Sequence, residues 1–235
     1  MSGRPPARTG LLLLHALPLD GSMWSAQSDL IPGATYAPTL YSRGDTVADW
    51  AVSVLSEMRE ERIVVIGCSV GGSCALEIAA TAPDRVAALV LIGTKAGHRP
   101  EPALHARARR VLLDEGIDAA WAMFWAPLFA AASDDARARG RRIARRQPVR
   151  DIARGMAAFH SRAGREHILP VFAGPIAFVS GDEDTAPGPD ASARQAGLAR
   201  RGSLHVIDNC GHYAPMERPG AFNTLLRGVI AAQES

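Results

Sequence analysis

Apolar residues fall into two rhythms along this chain, and the change between them divides it. Short apolar runs stand at residues 11–14, 63–66, 84–92 and 175–180, led by Leu11-Leu12-Leu13-Leu14 and Ile63-Val64-Val65-Ile66. Runs of this length without a polar break predict strands buried on both faces. Weaker strands are predicted at 34–37 and 203–207. Helical spacing of Val47, Ala51, Val54, Leu55 and Met58 predicts a helix over 47–60. Further helices are predicted at 73–82, 189–199 and 221–232. Strands alternating with helices imply a parallel sheet covered on both faces, hence an α/β fold. From Ala96 to about Pro170 the β-branched runs stop, alanine and arginine dominate, and three or four helices are expected. The predicted organisation is therefore one α/β core, residues 1–97 and 170–235, interrupted by a helical cap at 98–169. No internal repeat or low-complexity linker is visible, and 235 residues suffice for a full core.

Composition narrows the function. The 26 basic and 24 acidic residues leave a net charge of +2, which is no signature of a nucleic-acid binder. Lys95 is the only lysine; arginine carries the remaining positive charge. Arg4 and Arg8 ahead of the 11–14 run have the outline of a signal peptide. His15 and Pro18 cut the apolar stretch short, and no small-residue cleavage site follows. No segment approaches the roughly 20 apolar residues of a membrane span. Cys68, Cys74 and Cys210 are too few and too scattered for a disulfide framework or a zinc site, which suits a reducing cytoplasm.

The chemistry centres on Gly67-Cys68-Ser69-Val70-Gly71-Gly72, between the predicted strand at 63–66 and the helix that follows. A Gly-x-Ser-x-Gly turn from strand to helix is a nucleophile elbow. Its glycines stand where a Cβ would clash, and the turn lifts the Ser69 hydroxyl above the sheet edge. The Val70 amide at the helix N-terminus then faces any oxyanion formed there. Cys68 is intrinsically more nucleophilic, but an elbow exposes only its central residue, so Cys68 is expected to point into the core. Gly67, Gly71 and Gly72 form no phosphate loop, because no Gly-Lys-Ser/Thr follows.

A serine nucleophile needs a base, and the base needs a carboxylate to hold its tautomer. Gly181-Asp182-Glu183-Asp184 follows the predicted strand at 175–180, and Asn209-Cys210-Gly211-His212 follows the last one. Both turns belong at the carboxyl edge of the sheet, where such folds gather their functional groups. Serine, then a carboxylate, then His212 is the chain order of a hydrolase triad.

Over nearly its whole length the chain resembles the α/β-hydrolase superfamily, among the small cap-bearing serine esterases and enol-lactonases. The segment from His15 through Trp24 resembles the family's His-Gly oxyanion loop, with Ala16 in place of the glycine. Gly181 to Asp184 resembles its Gly-x-x-Asp acid turn. Gly211-His212 followed by Glu217-Arg218-Pro219 and Phe222 resembles its terminal histidine block. The resemblance implies Ser69 as nucleophile, His212 as base and Asp184 as orienting acid, with Asp182 the rival. It also implies an oxyanion hole from the amides of Leu17 and Val70. Only ten residues precede the first predicted strand, too few for the family's opening hairpin, so a sheet of about six parallel strands is expected. The implied activity is cleavage of an ester, thioester or lactone through an acyl-serine, with no cofactor and no metal. An acyltransferase, a carbon–carbon bond hydrolase, a cofactor-free haloperoxidase or a ligand-binding accessory protein can share the same site.

Two further patterns concern the substrate. Trp121, Phe124 and Trp125 lie at helical spacing, with Leu128 and Phe129 beyond, and are expected either to fill the core or to line a substrate pocket. Arg137, Arg141 and Arg145, flanked by Arg142 and Arg146, are expected to form a broad cationic helix face. That face would either be solvated or recruit an anionic partner such as a coenzyme A thioester or an acyl carrier protein. His15 is expected to fix its loop. His98, His105, His160, His167 and His205 show no metal-ligand spacing. Nothing in the sequence sets an oligomeric state.

Overall fold

The computed structural model describes residues 9–233, so the signal-peptide-like residues 1–8 lie outside it. Six strands form one parallel sheet: β1 (Thr9–Leu14), β2 (Thr35–Tyr36), β3 (Arg62–Cys68), β4 (Val86–Ile92), β5 (Ile176–Gly181) and β6 (Gly202–Ile207). Their spatial order is β2-β1-β3-β4-β5-β6. The chain runs outward from β1 to β2, then crosses back to β3 and proceeds the other way. That reversal opens a crevice between the carboxyl ends of β1 and β3, where α/β sheets place their ligands.

The unbroken apolar runs become the central strands. Leu11–Leu14, Ile63–Ile66 and all of β4 and β5 are buried. Burial on both sides follows from helices on both faces. These are α1 (Val47–Glu57), α2 (Val70–Thr81), α7 (Pro189–Leu198) and α9 (Pro219–Ala231). Helix α1 begins on a capping box, in which Thr46 and Asp49 satisfy each other's backbone N–H groups. At the sheet edge β6 is mostly exposed.

Between β4 and β5 run α3 (Pro102–Arg110), α4 (Ile117–Ala120), α5 (Asp134–Arg146) and α6 (Val149–Ser161), with π-helical turns at Val111–Glu115 and Trp121–Trp125. A short helix not anticipated from the sequence, α8 (Ala214–Glu217), precedes α9. Residues 83–85, partly assigned to a strand by their pattern, instead form a 3₁₀ turn with Pro83 at its start. Arg85 then donates to the carbonyls of Leu55, Met58 and Glu60, tying the end of α1 to the start of β4. Where the intervening helices return to the core, Arg165 grips the buried Glu77 of α2 through two hydrogen bonds of 2.7 and 2.8 Å. Its backbone N–H also donates to Ala96.

Candidate active site

Strand β3 ends in Cys68, and Ser69 turns the chain at φ 56°, ψ −115° before α2 begins at Val70. A side chain in this region of backbone space costs roughly 1–3 kcal/mol. Close packing holds it there. The Ser69 N–H donates to Ile92 O on β4 at 2.8 Å. A Cβ on Gly67 would stand 2.3 Å from Gly71 O, and one on Gly71 would stand 2.1 Å from Leu14 O. The helix therefore starts three residues earlier than its apolar spacing suggests. Cys68 is fully buried, and desolvation raises its thiol pKa well above the ordinary value.

His212 follows β6 and is buried to 3 % exposure. Its Nδ1 lies 3.1 and 3.2 Å from the two carboxylate oxygens of Asp184. Burial pushes the Asp184 pKa upward. The charge and hydrogen bond of His212, the Ala186 N–H and the positive Lys95 outweigh it, so the carboxyl titrates below its ordinary range. Asp182 points elsewhere: its carboxylate accepts the Cys210 N–H at 3.0 Å and stitches the acid turn to the histidine turn. Gly93, at φ 52°, closes the third side. A Cβ there would stand 2.5 Å from the His212 ring.

The loop after β1 forms the opposite wall of the crevice. His15 is wholly buried; its Nδ1 donates to Ala16 O, and its Nε2 accepts the Leu40 N–H at 2.9 Å. Desolvation lowers its pKa to about 4, so it is neutral and structural at physiological pH. Tyr213 OH donates to Leu17 O, and Tyr41 OH to Leu19 O. The Val70 N–H is the first of α2 and lacks an intrahelical acceptor. Leu17, across the switch point from Ser69, lines the same cavity.

Ser69, His212 and Leu17 line a cavity of about 330 Å³. Helices α3 and α6 and the segment between α4 and α5 cover it with Leu104, Ala108, Phe124, Trp125, Met156 and Phe159. Trp121 is not on its wall. The π-helical turn carries the Ala126 N–H to Trp121 O, an i to i+5 bond, and so rotates Trp121 off the face shared by Phe124 and Trp125. Trp121 packs instead on Phe129 and against Gly140 of α5. A larger groove of about 780 Å³ runs along β6 and α9 and holds none of the expected site residues.

The arginines of α5 do not line the cavity either. Arg141 and Arg145 share Asp118 of α4, at 3.0 and 2.6 Å. Arg137 pairs with Asp134. Arg146 donates to Ser22 Oγ. The expected open cationic face is thus largely paired, because α4 brings an acid that the α5 pattern could not reveal.

Two groups of residues take on roles not assigned from the sequence, although Glu217 belongs to the terminal histidine block named there. Glu217 is buried, and its two oxygens accept the N–H groups of Gly211 and Tyr213, either side of His212, and that of Ala130. Lys95, Arg99 and Arg162 line the cavity. Lys95 stands just beyond the carboxyl end of β4, the position that could have drawn notice to it.

The sequence profile of the alpha/beta hydrolase family matches residues 11–225. The chain belongs to that family. Among curated relatives, pimeloyl-[acyl-carrier protein] methyl ester esterase of Aromatoleum aromaticum is 37 % identical over 95 residues. That match covers 37 % of this chain and 38 % of that protein. A 2-hydroxy-6-oxononadienedioate/2-hydroxy-6-oxononatrienedioate hydrolase of a Pseudomonas species is 25 % identical over 84 % of this chain and 73 % of that protein. In three dimensions, a thermophilic esterase from Thermogutta terrifontis superposes with a TM-score of 0.86 at 24 % identity, over 97 % of this chain and 92 % of that one. This alpha/beta hydrolase has the six-stranded parallel sheet expected from its sequence. Among the described residues no helix is long and apolar enough to cross a membrane, and no cluster of His, Cys, Asp or Glu could hold a metal ion.

Proposed function

We propose that this alpha/beta hydrolase is a serine hydrolase that cleaves a small ester, thioester or lactone through an acyl-serine. The observation that carries the reading is the strained Ser69 turn opening into the same cavity as a buried His212–Asp184 pair. Asp184 holds the proton of His212 on Nδ1, which leaves Nε2 free to act as base. His212 takes the Ser69 proton as Oγ adds to the substrate carbonyl. The Leu17 and Val70 amides hold the resulting oxyanion, and return of the proton to the leaving oxygen or sulfur releases it. His212 then draws a proton from water, which attacks the acyl-serine and frees the acid. Phe124 and Trp125 contact the apolar part of the substrate. Nothing in the scheme calls on a cofactor.

Fluorophosphonate labelling tests it. The probe is expected to modify Ser69 and to block turnover of p-nitrophenyl butyrate, with Ser69→Ala losing both. Labelling that survives Ser69→Ala but not Cys68→Ala would overturn the nucleophile. Labelling without turnover of any ester would favour a ligand-binding accessory role.

A second reading, hydrolysis of a carbon–carbon bond next to a ketone, is favoured by the dienedioate hydrolase relative and its long alignment. Turnover of a 2-hydroxy-6-oxo-dienoate that exceeds that of every ester would select it. The pimeloyl-[acyl-carrier protein] relative makes carrier-bound acyl groups a third substrate arm.

A further inference from the structure

The lining of the cavity carries a net positive charge that no ion pair holds. Lys95, Arg99 and Arg162 stand there with one acid, Glu101, and none of the four is in an ion pair among the described residues. Other arginines of the chain are treated differently: Arg43, Arg137, Arg141, Arg145, Arg154 and Arg165 all face a carboxylate.

Arg162 is the anchor. Its Cζ lies 3.9 Å over the Phe159 ring, and its Nη1 donates to Phe159 O at 2.6 Å. Stacking and that one bond fix the plane of the guanidinium. Its remaining N–H groups have no acceptor among the described residues. Burial lowers its pKa to about 10, which leaves it charged at neutral pH and short of solvation. A half-buried cation without a counter-ion is costly, and an anion brought into the cavity offsets that cost.

The neighbouring histidines shape the cavity beside Arg162. His98 Nε2 donates to His160 O at 2.9 Å, and the His105 and His160 rings stack at 4.4 Å. Desolvation, with the positive charges nearby, lowers His160 to about 4, so it is neutral at physiological pH.

Resting on the serine-hydrolase reading, we propose that the substrate carries a free carboxylate, which Arg162 binds through its fork with Lys95 and Arg99 alongside, while Ser69 attacks an ester or lactone carbonyl of the same molecule. A carboxylate suits a planar guanidinium held by stacking. The cavity, near the small end of ligand sites, suits a short-chain acid.

The test compares monomethyl glutarate with methyl 5-methylhexanoate, which replaces the carboxylate by an uncharged isopropyl group of similar size. Wild-type kcat/KM is expected to favour the monoester at least ten-fold. Arg162→Gln is expected to reduce that ratio roughly ten- to a hundred-fold, mainly through KM, as a charge-assisted hydrogen bond is lost. Arg162→Lys should recover part of it, and Lys95→Gln and Arg99→Gln should each lower it less. A wild-type ratio at or below one, or equal losses on both esters in Arg162→Gln, would overturn the proposal while leaving the Ser69 chemistry standing. If neither ester is hydrolysed, calorimetry with glutarate decides: weaker binding in Arg162→Gln than in wild type upholds the carboxylate site, and equal or absent binding in both removes it.

Discussion

The turns at the carboxyl edge of the sheet and the basic side chains that line the cavity hold charge in different ways. Around the turns the carboxylates of Asp184, Asp182 and Glu217 are spent on partners of their own chain. Asp184 holds His212 and the Ala186 N–H, Asp182 holds the Cys210 N–H, and Glu217 holds three backbone N–H groups around His212. Among the residues that line the cavity, Lys95, Arg99 and Arg162 form no ion pair, although Glu101 lines it too and Lys95 acts on Asp184 through its charge. Satisfied charges build a rigid frame, while unsatisfied ones are left for a ligand. Under the proposed reading, the difference separates the groups that position the reaction from those that choose what is brought to it.

The sharpest way to break that comparison is to exchange the two acids of one turn. Asp184→Asn is expected to lower kcat about 10⁴-fold, because an amide lets His212 adopt the wrong tautomer. Asp182→Asn, whose amide oxygen can still accept the Cys210 N–H, is expected to lose less than ten-fold. Steady-state kinetics on one ester checks both, and a reversed order would move the acid by two residues.

Next in size is the buried carboxylate that clamps the histidine loop. Glu217→Met strands the N–H groups of Ala130, Gly211 and Tyr213, at roughly 1–3 kcal/mol for each donor left without water. Denaturant unfolding should show the lost stability. Glu217→Gln, which keeps an acceptor, should recover part of it. If Glu217→Met were as stable as wild type, the clamp would be incidental.

The smallest effect belongs to the paired arginines of α5. The hydrogen bond from Arg145 is the main cause that lowers the Asp118 pKa from 3.8 to about 2; desolvation opposes it and Arg141 assists. A depressed carboxyl contributes stability above its unfolded pKa and loses it as pH falls through the folded one. The melting-temperature difference between wild type and Asp118→Asn should therefore be slight and constant above pH 4, because the pair is exposed. It should vanish between pH 4 and pH 2. A difference that persists at pH 2 would assign the effect to packing.

How much of this could be read in the sequence differs between the same two regions. The strands announce themselves because a run such as Ile63-Val64-Val65-Ile66 can be buried on both faces only in a covered parallel sheet. The strand-to-helix turn at Ser69 and the positions of Asp184 and His212 after their strands are local, and topology carries them to one edge. By itself the sequence thus determined the sheet, its six strands and the edge at which the reactive groups meet. The likeness of Gly181–Asp184 to the Gly-x-x-Asp turn already favoured Asp184 over Asp182, but only the tertiary structure showed which carboxylate reaches His212, since two residues in a turn differ in direction. It also decided that Trp121 leaves the cavity face, because a π-helical turn shifts the phase of the spacing. And it decided which arginines are paired, because Asp118 and Arg145 meet across 27 residues while Arg162 meets no acid. Spacing encodes what a single element must bury; the partner of a charge is set by elements brought together only on folding.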